Sequence, residues 1–355
     1  MDVADFDYAL PPDLIAQAPL QERDASRLLT LDRSTGAVQH RTVRELPQLL
    51  RRGDLLIVND AQVVPARLRG HKRGSGGKVE LLLVEPAQAA PIGSAQDAPG
   101  DWLAIGQASK PLRVGALVDV PGAAVEIVQS RGNGEYVVRL PPELRAEEAL
   151  FDFLEQNGEL PLPPYIERPA PEAADRARYQ TVFAKERGAI AAPTAGLHFT
   201  PALLEALDAA GILRAQVTLH VGPGTFLPVR AARLEDHRMH SERYRVPEAT
   251  AAAYASARAE GRRIVAVGTT ALRTLEAAQS NGALRAGPGA TDLFCTPGYR
   301  FQAVDALLTN FHLPKSTLLM LVAAFAGLDN SLTAYRLAVA ERYRFFSYGD
   351  AMLIQ

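Results

Sequence analysis

The spacing of apolar and polar residues changes several times along this chain, and each change marks an element. RLLTL (27–31) and AVQHRTV (37–43) read as two strands joined by a polar turn at 32–36. A short amphipathic helix follows over 44–50, ended by Gly53, and DLLIVND (54–60) has the unbroken apolar character of a strand buried on both faces. Beyond Asn59 and Asp60 the texture becomes alternating. VVPARLRG, KVELLLVEP, WLAIGQAS, ALVDV, AAVEIVQSR and EYVVRL are short runs separated by glycine or proline. They predict a small antiparallel β-barrel inserted over residues 61–148, with the Ala/Pro/Gly-rich stretch 87–100 as a surface loop. Helical spacing returns at EEALFDFLEQNG. IVAVGTTALRTLEAA and VDALLTNFHLPKSTLLMLVAAFAG then repeat one plan of strand, loop and helix, and SYGDAMLI ends the chain as a strand. The predicted architecture is a main mixed α/β domain, residues 1–60 plus 149–355, with the barrel as its insert.

Residues 191–226 stand at the centre of this plan. Thr200 is a good N-cap, Pro201 suits the first helical position, and Gly211 sits where a left-handed C-cap is expected. Loops of small residues flank that helix and the strand after it, one carrying His198 and the other His220. Gly196, Gly222 and Gly224 allow a ligand to approach the backbone closely. Loops at strand ends are where α/β proteins place chemistry.

Composition narrows the function. With 355 residues, 47% hydrophobic, the chain can build two cores; a net charge of -2 leaves room for only a local nucleic-acid patch. The one cysteine, Cys295, excludes an internal disulfide and a cysteine-rich zinc site, and fits a reducing cytoplasm. The N-terminus carries acids where a signal peptide needs bases, and the longest apolar run, 318–326, is too short to span a bilayer.

Four constellations could carry chemistry. Gly268, Thr269 and Thr270 join a strand to a helix N-terminus, which presents N–H groups to an anion or is simply a buried cap. Asn310, His312, Lys315 and Ser316 form a polar loop before a long apolar helix, where Ser316 also suits a cap. Five histidines lie between 198 and 312: His198, His220, His237, His240 and His312. HxxH at 237–240 is a weak metal signal without a partner motif, so no metal is assigned, and acid–base duty is the alternative to structural roles. Arg67, Arg69, His71, Lys72, Arg73 and Lys78 crowd one hairpin, either solvated or set against an RNA backbone.

Several blocks, RLLTLDRSTG, GDLLIVNDAQVVPARLRG, LPLPPYI, GAIAAPTAGLHFT, VTLHVGPGTFLPVR, HRMHSE, VAVGTTALRTLE, VDALLTNFHLPKSTLLMLVAAFAG and YRFFSYGDAM, together resemble one family in order and spacing. It is the S-adenosylmethionine:tRNA ribosyltransferase-isomerase family of queuosine biosynthesis. Ala61 and Gln62 depart from it, standing where a hydroxyl residue and a basic one are expected.

The resemblance implies transfer and rearrangement of the ribosyl unit of S-adenosylmethionine, a consumed co-substrate, onto 7-aminomethyl-7-deazaguanine at the tRNA wobble position. No bound cofactor is implied. The expected setting is a cytoplasmic monomer without membrane contact. His198, His220, His240 and His312 become the candidates for proton transfer, with Glu242 as a carboxylate alternative. Thr194, Gly196, Gly222, Gly224, Thr225, Gly268, Thr269, Thr270, Arg273, Asn310 and Lys315 become candidates for substrate binding. Arg273 suits a bidentate carboxylate contact. Arg67, Arg69, Lys72 and Arg73 are the expected tRNA contacts. A nucleosidase acting without tRNA, and an RNA-binding module without catalysis, are the rival readings.

Overall fold

The structure, a computed structural model, describes residues 1–87, 100–168, 173–222, 229 and 231–355. The strands in chain order are β1 Arg27–Leu31, β2 Val38–Thr42, β3 Leu55–Asn59, β4 Ala61–Val63, β5 Arg67–Lys72, β6 Lys78–Pro86, β7 Asp101–Ala108, β8 Leu117–Val120, β9 Ala123–Gly132, β10 Glu135–Arg139, β11 Glu186–Ala189, β12 Leu213–Leu219, β13 Glu242–Val246, β14 Ile264–Val267, β15 Gln279–Ser280, β16 Ala283–Leu284, β17 Gly287–Thr291, β18 Ala306–Asn310 and β19 Ala351–Ile354. The helices are α1 Leu46–Leu49, α2 Glu147–Asn157, α3 Ala173–Arg178, α4 Pro201–Ala209, α5 Glu248–Ala259, α6 Thr269–Ala278, α7 Thr317–Ala326 and α8 Leu328–Ala340.

Nine strands form one mixed sheet in the order β17-β13-β12-β3-β14-β18-β19-β1-β2. Its middle is parallel: β3 pairs in parallel with β12 on one side and β14 on the other, and β14 pairs in parallel with β18. Alternate residues of these strands enter two different cores. Leu55, Ile57, Ile264, Ala266 and Leu307 face a cluster that includes Leu272 and Leu275 of α6 and the apolar side chains of α7. Leu56, Val58, Val265, Val267 and Leu308 face a second cluster with Leu203 and Leu207 of α4. Helices therefore cover both faces, and the middle strands are buried throughout, as their unbroken apolar runs require. Each such leucine or isoleucine contributes about 1.5–3 kcal/mol by leaving water. The run 318–326 is the core helix α7. No single helix among the described residues is long and apolar enough to cross a membrane.

Strands β5 to β10 close into a six-stranded antiparallel barrel in the order β10-β7-β6-β5-β8-β9. Its interior holds Leu68, Leu81, Trp102, Val118, Val125 and Val138, and Leu150, Phe151 and Leu154 of α2 join the same cluster. The short β4 lies outside it, paired in parallel with β11. Most of the expected loop at 87–100 falls outside the described residues. The helix signals hold in detail: Thr200 accepts the Leu203 N–H at 3.1 Å, and Gly211 has φ +75°.

Because β12, β3, β14 and β18 run in parallel side by side, their C-terminal ends form one edge. His220, Asn59, Gly268 and Asn310 therefore come together from positions far apart in sequence.

Candidate active site

Asn59 ties this edge together. Its Nδ2 donates to the Leu219 carbonyl at 3.0 Å and to Thr270 Oγ1 at 3.2 Å. Its Oδ1 accepts the N–H groups of Ala61 and Leu219, each at 3.1 Å. Both amide hydrogens and both lone pairs are used, so one side chain links the ends of β3 and β12 to the first turn of α6. Beside it, burial raises the Asp60 carboxyl above its ordinary range, against a 2.7 Å bond donated by Thr218.

Two cavities open at the edge, and Val221 lines both. The first measures about 580 Å³, counting its mouth. Its walls include Thr194, Gly268, Thr269, Thr270, Asn310, His312 and the aromatic rings of Tyr165 and Phe346. No side chain caps α6 at Gly268, so the N–H groups of its first turn have no side-chain acceptor at the helix start. Asn310 has one unused atom. Its Nδ2 donates to the Phe346 carbonyl at 3.0 Å, which sets the amide orientation, and so must also donate to His198 Nε2 at 3.2 Å. Its Oδ1 is buried without a partner. His198 thus stands behind Asn310, and Gly196 packs against Thr181. His312 bonds Thr309 Oγ1 at 2.9 Å.

The second cavity, about 500 Å³ with its mouth, lies between barrel and sheet. Val84, Glu85, Leu103, Ile105 and Glu135 come from the barrel, and His220, Gly222, His240, Ser241, Glu242 and Arg243 from the other side. Neither ring nitrogen of His220 has a hydrogen-bond partner, beyond a loose approach to the Glu186 backbone. The ring lies against the backbone of Gly188, where an added Cβ would sit 2.5 Å from its Cε1.

Burial holds all three inner histidines neutral. It lowers His198 to about 4, helped by Arg344 and Arg23. It lowers His220 to about 3, helped by Arg243, and His312 to about 3. Their folded values lie below the unfolded value, so the unfolded chain binds more protons as pH drops below about 6.5. Stability is then complete above that point and falls towards pH 3, by about 2 kcal/mol per ring at pH 5. Raised carboxyls such as Glu276 and Asp350 offset part of this at the acid end. Urea unfolding at pH 7 and pH 5 measures the difference; equal midpoints would mean that the rings charge freely in the fold.

Other expected site residues have partners of their own. Glu242 and Arg273 form a buried ion pair, each about 5% exposed or slightly more. The carboxylate contact expected of Arg273 is thus taken up inside the protein. Lys315, with φ +58°, points to the surface and pairs with Asp7 at 2.7 Å, away from both cavity walls. Gly224 and Thr225 lie outside the described residues. Among the described residues no group of three His, Cys, Asp or Glu could hold a metal ion. The basic hairpin is internally matched: Arg67 meets Glu80 at 3.3 Å, Arg69 meets Glu159 at 2.9 Å, Arg73 meets Asp119, and Lys72 donates to the Lys110 carbonyl at 2.6 Å. Sequence reasoning missed Asn59 and Gly188 as site-building residues. Asn59 carried one available signal, a polar residue ending an apolar strand.

An α/β sheet whose parallel strand ends open on a mainly apolar cleft set with a few polar groups, beside a β-barrel, is the architecture of a ligand site at the strand edge. The family model described as "Queuosine biosynthesis protein" matches residues 3–354. The S-adenosylmethionine:tRNA ribosyltransferase-isomerase of Anaeromyxobacter sp. (strain Fw109-5) is 57% identical over 354 residues, covering 100% of this chain and 99% of the relative. The enzyme of the same name from Geobacter sulfurreducens is 54% identical, with 100% of both chains covered. The crystal structure of S-adenosylmethionine tRNA ribosyltransferase from Thermotoga maritima is similar with a TM-score of 0.55 and 37% identity, over 99% of this chain and 100% of that one. The chain belongs to the queuosine biosynthesis protein family and is an enzyme of the transferase–isomerase kind.

Proposed function

We propose that this enzyme transfers and isomerises the ribosyl moiety of S-adenosylmethionine onto 7-aminomethyl-7-deazaguanine in the wobble position of tRNA. The products are epoxyqueuosine in tRNA, adenine and methionine. The observation that carries this reading is the first cavity. It combines uncapped N–H groups of α6, the unpartnered Asn310 Oδ1 and the Tyr165 and Phe346 rings. An α-amino-acid carboxylate suits the helix N-terminus, and a nucleoside suits the aromatic walls and the amide oxygen.

The sulfonium acidifies the adjoining 5′-methylene. A base removes a proton there, and collapse of the carbanion opens the sugar and expels adenine, which takes up a proton. The amine of the tRNA base attacks next, and methionine departs as the epoxide forms. Each neutral ring offers one acceptor nitrogen and one N–H donor to these steps; because burial makes the rings weak bases, accepting the proton requires a bound group that stabilises the imidazolium. His312 is at the wall of the first cavity, and His220, next to the shared wall residue Val221, lines the second. His198 acts through Asn310 as a positioning residue. Arg69 and Arg73 of the 61–148 insert meet the RNA backbone by exchanging exposed ion pairs for phosphate, a change of about 1 kcal/mol or less per pair, and Arg67 and Lys72 join them on giving up the half-buried Glu80 and the Lys110 carbonyl. Residues 1–60 and 149–355 carry the chemistry. The enzyme acts as a cytoplasmic monomer, away from membranes and with no bound cofactor.

Adenine release from S-adenosylmethionine, measured with each component omitted in turn, tests this. Release is expected only with protein, S-adenosylmethionine and tRNA carrying the aminomethyl base together. Release without tRNA would make the chain a nucleosidase, and tRNA affinity without S-adenosylmethionine binding would make it an RNA-binding module.

A further inference from the structure

The second cavity has a charge pattern that the scheme above does not use. Glu85 on β6 and Glu135 on β10 face it from the barrel. Across it, Glu242 is matched by Arg273, and Arg243 approaches Glu147 at 3.7 Å. Neither Glu85 nor Glu135 makes an ion pair or side-chain hydrogen bond among the described residues. His220 adds an independent observation: a buried ring with no side-chain partner at either nitrogen, only the Glu186 backbone nearby, lining the same cavity and seated on Gly188.

We propose that this cavity binds a primary ammonium group, the aminomethyl arm of the tRNA base, between the Glu85 and Glu135 carboxylates and an acceptor nitrogen of His220. The assignment rests on the tRNA reading given above and deepens it by naming the subsite. Two carboxylates supply the opposite charge, and a neutral imidazole accepts one N–H without repelling the cation. Burial raises the Glu85 carboxyl above the ordinary range, and the nearby Glu242 adds to this, while Arg243, His240 and Arg131 lower it only in part; an ammonium in direct contact would lower it further. Val221 is the wall shared with the first cavity, so the ammonium held here lies next to the ribosyl donor, and on giving one proton to the Glu85 carboxylate it becomes the free amine that attacks. A barrel that supplies two of the three contacts also explains why the insert packs against the sheet edge.

The test is affinity of the full chain, without S-adenosylmethionine, for two forms of one tRNA. One carries 7-aminomethyl-7-deazaguanine at the wobble position and the other guanine. The natural sequence is expected to prefer the aminomethyl form by about tenfold or more, the value of one charge-assisted contact. Glu85→Gln or Glu135→Gln is expected to reduce that preference to about threefold or less, while affinity for the guanine form stays within about twofold. Preference unchanged in both variants, or absent from the natural sequence, would overturn the site. The experiment involves no ribosyl transfer, so it fails separately from the function. A chain that prefers the aminomethyl tRNA but releases no adenine would retain the ammonium site and lose the proposed reaction.

Discussion

Gly188→Ala is expected to lower kcat about 100-fold in a chain that still folds, because the added methyl occupies the seat of the His220 ring. The new Cβ would lie 2.5 Å from Cε1 and 2.8 Å from Nδ1 of His220. Gly188 also has φ +136°, and the β4–β11 pairing shifts register between Arg187 and Ala189. Alanine there carries about 1–3 kcal/mol of backbone strain, within reach of a folded enzyme's reserve. The backbone has little freedom to retreat, since the N–H groups of Lys185 and Glu186 both bond the Asp60 carbonyl. The ring must therefore move by about 1 Å, a displacement large enough to cost two orders of magnitude in rate. Adenine release by the variant, with its circular dichroism unchanged, is the measurement. The double variant Gly188→Ala/His220→Ala should be no slower than His220→Ala alone, because both act through one ring. A rate within about threefold of the natural enzyme would remove His220 from the chemistry.

The elements were legible because their local signals agree. Thr200, Pro201 and Gly211 bracket α4, and the apolar runs of β3, β14 and β18 match strands buried on both faces. The barrel was legible from short alternating runs. The legibility of the site stopped at pairings across the sheet. Glu242 and Arg273 are 31 residues apart and read as a proton-transfer candidate and a separate substrate contact until β13 and α6 bring them together. Gly188 carries no local signal of its role, since that role is defined by a ring 32 positions later. Nothing in the order of residues divides the histidines between two cavities. That division comes from Val221, which becomes a common wall only when β12 lies between β3 and β13. The basic hairpin also read as free charge, because its partners Glu80, Asp119 and Glu159 are set by strand pairing and the barrel's packing on 159.

Breaking the Glu242–Arg273 pair from one side is expected to have the largest effect on stability. Glu242 is 5% exposed and its Oε1 also accepts the Gly222 N–H at 2.9 Å. Arg273, 5% exposed, donates from Nε to the Leu293 carbonyl at 3.0 Å, while its Nη2 has no partner among the described residues. Glu242→Leu leaves a buried guanidinium without its counter-charge, and Arg273→Met leaves a buried carboxylate. Each is expected to cost about 3–5 kcal/mol, read as a lower urea midpoint. The double variant Glu242→Leu/Arg273→Met removes both charges together. It should recover most of that loss, because desolvation of a buried pair roughly cancels its attraction. Activity should not return with stability. The Glu242 carboxylate anchors Gly222, two residues past His220, and without it the Val221 wall and the His220 ring lose a support that stability alone does not replace. Single variants within about 1 kcal/mol of the natural chain would mean that solvent reaches the pair. A double variant with full adenine release would mean that the pair only holds β13 against α6, leaving His220 and the first cavity to carry the reaction.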